Sequence, residues 1–142
     1  MKLIVLIASA AMASKIVYGA SLIDSISLVE SGGKNATVGD YGAARGAWQM
    51  HKAAWDDSCV RLGKNWSFQQ ATNGAIGRVV ATEHLRYLQA RFERVAHRKA
   101  TSIDSYALWN LGVAGYQRRG WQIAKCPIIT QRAAAKVAKN TK

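Results

Sequence analysis

Apolar residues recur at three- and four-residue steps through Leu22, Ile23, Ile26 and Val29, with Leu28 beside them, and the pattern stops at Glu30-Ser31-Gly32-Gly33. One apolar stripe at that period predicts an amphipathic helix. Paired glycines just past the last periodic residue predict its end, because glycine accepts the left-handed conformation that closes a helix. Gly39-Asp40-Tyr41-Gly42 then reads as a tight turn. A short hairpin or irregular loop is expected over residues 35–45, before Gly46-Ala47-Trp48-Gln49-Met50 resumes an apolar run. Residues 51–58 predict a short helix carrying Trp55, and Gly63-Lys64-Asn65 a turn. From 73 to 99 the chain reads as one long helix. Ile76, Val80, Leu85, Leu88, Phe92 and Val95 fall on one face, with Arg78, Arg86, Arg91 and Arg94 mostly off it. Gly74 and Gly77, three residues apart, predict that another helix approaches closely there, at some cost in helix propensity. Thr101 or Ser102 caps a further helix with Asp104 in its first turn. That helix runs through Tyr106, Ala107, Leu108 and Trp109 into Asn110-Leu111-Gly112.

Composition adds class and context. At 142 residues, 49% hydrophobic with one proline, the chain suits a single, mainly helical domain with one core. The first twenty residues stand apart: Met1-Lys2 leads into the apolar run LIVLIASAAMA, with small residues at Ala11, Ala13, Val17 and Gly19. Residues 1–20 are read as a signal peptide, and 21–142 as the folded domain with a basic C-terminal segment. An uncleaved anchor and a buried N-terminal helix are the alternatives, Lys15 being awkward for the first. Export would place Cys59 and Cys126 in an oxidising compartment, where an even pair is a candidate disulfide that contributes about 3–4 kcal/mol. The alternative is two separate buried thiols. Neither cysteine has a partner at metal-ligand spacing, and His51, His84 and His97 form no cluster, so no metal and no cofactor are expected. The histidines are read as surface or partly buried side chains.

Charge narrows the partner. Twenty basic residues against eight acidic ones, a net +12, imply an anionic surface: nucleic acid, membrane, or the acidic bacterial wall. The arginines are spread over several elements and no nucleic-acid motif is present, so no nucleic acid is expected as a partner. Against this background Glu30 stands out. It lies on the final turn of a helix, where the dipole is negative, next to Leu28 and Val29. Both effects disfavour ionisation, and a carboxyl with a raised pKa suits a general acid near neutral pH. The plainer alternative is a solvated glutamate at a helix end.

Glu30-Ser31-Gly32-Gly33 followed by Gly46-Ala47-Trp48-Gln49-Met50 resembles the lysozyme-like superfamily, specifically the soluble lytic transglycosylase group of peptidoglycan-cleaving enzymes. Those proteins carry a helix ending in Glu-Ser-Gly, a glycine-rich loop, and then Gly-x-x-Gln-hydrophobic. The Gly39-Asp40 turn and Trp109-Asn110 look more like a compact branch of that superfamily. The resemblance implies a mainly α, lysozyme-like α+β fold with the 73–99 helix behind the cleft. It implies cleavage of the bond between N-acetylmuramic acid and N-acetylglucosamine, with Glu30 as the catalytic residue. Gln49 and Asn110 would hydrogen-bond the sugar, and Trp48 or Trp109 would pack on sugar faces. The family's alanine-tyrosine-asparagine-alanine-glycine motif is altered here: Trp109 stands for the tyrosine, Leu111 for the second alanine, and Asn110 and Gly112 are retained. If the family tyrosine's hydroxyl orients the acid, Trp109 cannot do so by the same contact, because an indole offers only a donor nitrogen.

Two reactions are compatible with such a site. In lytic transglycosylases one glutamate protonates the glycosidic oxygen and then helps the muramic 6-hydroxyl attack its own anomeric carbon, leaving a 1,6-anhydro end. A lysozyme-type hydrolase uses a second carboxylate, and Asp40, ten residues on from Glu30, is the candidate. Its alternative is a turn aspartate bonding its own backbone. The expected partners are peptidoglycan glycan strands and anionic wall polymers, met by an exported, periplasmic or extracellular, monomer. A non-catalytic wall-binding protein on the same fold is the other class.

Overall fold

The computed structural model describes residues 20–141. The expected signal segment lies outside the described residues but for Ala20, which pairs with Thr141 in a parallel bridge. The described residues form one mainly helical domain with a small three-stranded sheet.

Helix α1 spans Leu22–Ser31. Ser21 caps it by accepting from the Asp24 amide, and Gly32 closes it in the left-handed region (φ 68°), sending its amide back to Leu28 and Ser27. Its buried face holds Ile23, Ser25, Ile26 and Ser27, while Leu28 lies outside, 47% exposed. The loop beyond it is a meander of two-residue strands, β1 (Val38–Gly39), β2 (Ala44–Arg45) and β3 (Met50–His51). They pair antiparallel in chain order, Val38 opposite Arg45 and Arg45 opposite Met50. Helix α2 (Lys52–Leu62) follows directly, ending four residues beyond the expected 51–58, and stops at Gly63 in the left-handed region.

Helix α3 (Gly74–Ala96) is the long central element, capped by Asn73, whose side chain accepts from the Ala75 and Ile76 amides. Val80, Leu85, Leu88 and Phe92 are buried on its core face, with Ile76 half-buried and Val95 exposed. The close approach expected at its two glycines is real, but it is made by a loop side chain, the Trp48 ring and the short 3-10 turn Phe68–Thr72, not by a second α-helix. Gly77 faces the Trp48 ring and the Ala71 carbonyl, and Gly74 faces the Asn35 side chain. Helix α4 (Ser102–Gln117) opens with a reciprocal Thr101–Asp104 capping box and breaks at Gly112 (φ 69°, ψ 170°). Helix α5 (Ile128–Asn140) has no counterpart in the sequence reading; Thr130, Ala134 and Val137 form its buried stripe against α1 and α4.

Two clusters make the core. One gathers Ile23, Ile26, Trp48, Trp55, Val80 and Tyr106; the other gathers Leu88, Phe92, Leu108, Tyr116 and Cys126. Burying side chains such as Ile26, Val80, Leu108 and Phe92, each at most 0% exposed, stabilises by about 1.5–3 kcal/mol apiece. The expected disulfide is absent. Cys59 sits in the first cluster with its thiol on the Trp66 carbonyl, and Cys126 in the second with its thiol on the Gln122 carbonyl. Each behaves as a small core residue, and burial pushes both thiols up from their ordinary pKa.

Candidate active site

The end of α1 is tied to the sheet before any functional group is considered. The Ser31 hydroxyl donates to the Ala47 carbonyl at 2.7 Å and accepts from the Lys34 amide at 3.1 Å. The Trp48 indole, 6% exposed, donates to the Ile23 carbonyl at 2.9 Å. Trp48 is thus a clamp between the β2–β3 connection and α1, and this corrects its expected place on a sugar face. An aromatic next to an exposed loop residue carries no sign of which way it turns; here its N–H finds a buried carbonyl, which settles it inward. Gly46 lets the same connection pass, because its φ is 80° and a β-carbon would run into the Ala71 carbonyl.

With these ties in place, Glu30, Asp40, Gln49, His51, Trp109 and Asn110 line one cavity of about 290 Å³. Five of the six side chains singled out from the sequence therefore meet, Trp48 being the exception. Gln49 adopts a left-handed backbone (φ 48°) and its amide donates to the Gly46 and Thr37 carbonyls at 2.9 and 3.3 Å. Its carboxamide oxygen lies where a β-carbon on residue 39 would stand, so Gly39 leaves room for it. Asn110 is exposed at the cavity edge and its side-chain oxygen accepts from Thr130 at 2.7 Å.

Glu30 is half-buried, and its Oε1 accepts from the Tyr106 hydroxyl at 2.8 Å. Tyr106 lies one turn before Trp109 on α4, so both reach the same side of that helix. The hydroxyl that Trp109 lacks is supplied from this neighbouring turn. The sequence places Tyr106 on this helix without a role; its i, i+3 spacing to Trp109 is the one signal there that could find it. Burial holds the Glu30 carboxyl above its ordinary 4.5, and the Asp40 charge pushes the same way. The Tyr106 hydrogen bond and the His51 ring oppose them, favouring the carboxylate. Burial and the adjacent Glu30 charge push the Tyr106 phenol upward, so it remains an O–H donor.

Asp40 does not bond its own backbone through its side chain. Its Oδ2 meets His51 Nε2 at 3.1 Å, both groups being largely exposed. Asp40 and Tyr41 both hold left-handed backbones (φ 47° and 54°), so with Gln49 three non-glycine residues of this loop occupy a region costing of order 1–3 kcal/mol each. Two other grooves, of about 310 Å³ around Leu62, Arg78, Val79 and Glu83 and about 330 Å³ around Leu28, Lys136 and Lys139, lack such an acid. Glu83, in the first, is bound to both Arg61 and Arg86. Among the described residues no group of three His, Cys, Asp or Glu side chains converges as a metal site. No helix of the described residues is long and apolar enough to cross a membrane. No family model, curated protein or solved structure matches the chain.

Proposed function

We propose that the protein cleaves the glycan strands of peptidoglycan as a lytic transglycosylase, with Glu30 as its acid and base. The observation that carries this reading is the Tyr106–Glu30 hydrogen bond: a half-buried carboxyl, raised in pKa, held in one orientation at an open polar cleft. A carboxyl whose pKa is raised by burial holds its proton to higher pH than a free one and can protonate the oxygen between N-acetylmuramic acid and N-acetylglucosamine. As the C–O bond breaks, the proton moves to the leaving sugar and positive charge develops at the muramic anomeric carbon. The resulting Glu30 carboxylate retains the Tyr106 hydrogen bond, which strengthens as the acceptor becomes charged. That carboxylate then takes the proton of the muramic 6-hydroxyl as its oxygen bonds to the anomeric carbon, closing the 1,6-anhydro ring and restoring the acid. Gln49 and Asn110 offer polar contacts along the cleft, and Trp109 an aromatic wall. The excess of basic charge favours approach to an anionic wall.

A second reading rests on Asp40. Its side chain faces the same cavity and bonds His51 rather than its own turn. A carboxylate there can hold a water for attack on the anomeric carbon, giving a reducing muramic end. Digesting purified peptidoglycan and analysing the products by mass spectrometry separates the two: anhydro ends follow from the first, reducing ends from the second.

A further inference from the structure

Helix α5 packs on α1 and α4 through Thr130, Ala134 and Val137, and its other side is left to solvent. At about 100° per residue, Ile128, Arg132, Ala135 and Lys139 stand directly opposite that buried stripe, with Ile129 and Lys136 flanking them. Ile128 and Ile129 are 56% and 77% exposed, which is unusually open for isoleucine. Lys136, Lys139 and Asn140 also face Leu28 and Val29 of α1 across the groove of about 330 Å³, so apolar and cationic groups alternate over one continuous surface.

That surface carries one sign of charge. No aspartate or glutamate follows Asp104 in the chain, whereas Arg118, Arg119, Lys125, Arg132, Lys136 and Lys139 do. On the helices packed against α5 the carboxylates are engaged elsewhere: Asp24 with Arg78, Glu30 with Tyr106, and Asp104 with Arg98. Among the described residues, none of Arg132, Lys136 and Lys139 has an ion-pair partner. A dissolved polyanion would engage these cations and leave the isoleucines and Leu28 in water. An anionic bilayer matches both, because its phosphates meet the cations at headgroup level and its acyl boundary takes the apolar side chains. The chain joins the fold at this same edge: Ala20 pairs with Thr141 just past α5, and the apolar run from Leu3 to Ala13 lies upstream of it.

We infer that the outer face of α5, with Leu28 beside it, docks the protein on a bilayer containing anionic phospholipids. Arg132, Lys136 and Lys139 meet the phosphates, and Ile128 and Ile129 sink between the headgroups, the helix lying along the surface rather than crossing it. Thr130, which bonds Asn110 at the cleft edge, is on the buried side of α5, so docking leaves the Glu30 cavity uncovered. The inference does not depend on the chemistry assigned to Glu30. Each cation held near such a surface strengthens partitioning about fivefold.

The test is co-sedimentation of the 142-residue chain with vesicles of phosphatidylcholine alone, or of equal parts phosphatidylcholine and phosphatidylglycerol. Tighter binding to the mixed vesicles is expected, weakening as salt is added. Arg132→Gln, Lys136→Gln and Lys139→Gln together should lower it about a hundredfold. Removing the same charge at Lys64, Arg91 and Arg94, in the loop after α2 and on α3, should cost far less. Ile128→Ser with Ile129→Ser should weaken vesicle binding about tenfold and leave binding to dissolved poly(glycerol phosphate) unchanged. Equal melting temperatures show that the folds are intact. Equal binding to the two kinds of vesicle, or equal losses from the two charge triples, would overturn the inference. So would an isoleucine variant that binds vesicles as the wild type does, which would assign the face to a dissolved polyanion. Vesicle docking that follows these expectations in a protein that leaves peptidoglycan uncut would uphold the inference while the proposed function fails.

Discussion

Tyr106→Phe removes one oxygen from a side chain that is 4% exposed and leaves its ring packing in the core untouched. What disappears is the 2.8 Å hydrogen bond to Glu30 Oε1. A hydrogen bond to a charged acceptor contributes about 1.5–3 kcal/mol, and in the proposed first step Glu30 passes from neutral acid to carboxylate. The bond is therefore stronger in the transition state than in the ground state, and its loss should lower kcat about ten- to a hundredfold with little change in KM. The pH profile supplies a second readout. Tyr106 holds the Glu30 pKa down against burial, so removing it moves that pKa further up. The proposed first step needs the protonated acid, so activity should fall as pH rises through its pKa, and the alkaline limb should shift to higher pH in Tyr106→Phe. The assay is initial-rate release of soluble fragments from purified peptidoglycan across a pH series, with a melting curve as control. An unchanged kcat together with an unchanged alkaline limb would refute the positioning role.

Asp40→Asn should draw the alkaline limb to lower pH, because the Asp40 charge raises Glu30; much of the activity should survive if the enzyme is a transglycosylase, measured in the same assay. Asp104 is held at about 2 against an ordinary 3.8: burial works against ionisation, but Arg98, Thr101 and Tyr116 outweigh it. A depressed folded pKa stabilises above the unfolded value and is lost as pH falls from about 3.8 towards 2. The shift corresponds to about 2 kcal/mol, so Asp104→Asn should lower stability by at least that much at neutral pH, the deficit narrowing at acid pH in denaturant titrations. Alkylation of the unreduced, denatured protein should label both Cys59 and Cys126; a protected pair would contradict their placement in separate clusters.

Where local physics decides, the fold is readable from the residues. The α1 stripe, the Gly32 stop, the α3 face and the Thr101 cap with Asp104 in its first turn all follow from periodicity and capping, and each is present. Helix α5 escapes because its buried stripe is Thr130, Ala134 and Val137, too small and too polar to show as an apolar face. Leu28 and Trp48 show the limit of a stripe or a motif. Each sits beside positions that follow the pattern, yet Leu28 turns out and Trp48 turns in, because tertiary partners choose the face. Ser31 was visible only as part of a motif, and its reason is a hydroxyl bond to Ala47, sixteen residues away. Tyr106 and His51 gain their meaning from Glu30 and Asp40, at distances in sequence that no spacing rule covers.

The central claim is that Glu30 breaks a glycan bond, and the products of one digest test it most directly. Purified peptidoglycan treated with wild-type protein should yield 1,6-anhydro-muramic fragments by mass spectrometry, and treatment with Glu30→Gln should yield none. Glu30→Gln should keep its fold. Because the Glu30 pKa is raised in the folded state, the folded protein holds more protons than the unfolded chain as pH rises past 4.5, so ionised Glu30 destabilises and the neutral amide should be equal or slightly more stable at neutral pH. Reducing muramic ends that also vanish in Glu30→Gln would move the assignment to hydrolysis with Asp40. Wall fragments released equally by the folded Glu30→Gln protein, or none released by the wild type, would contradict the account.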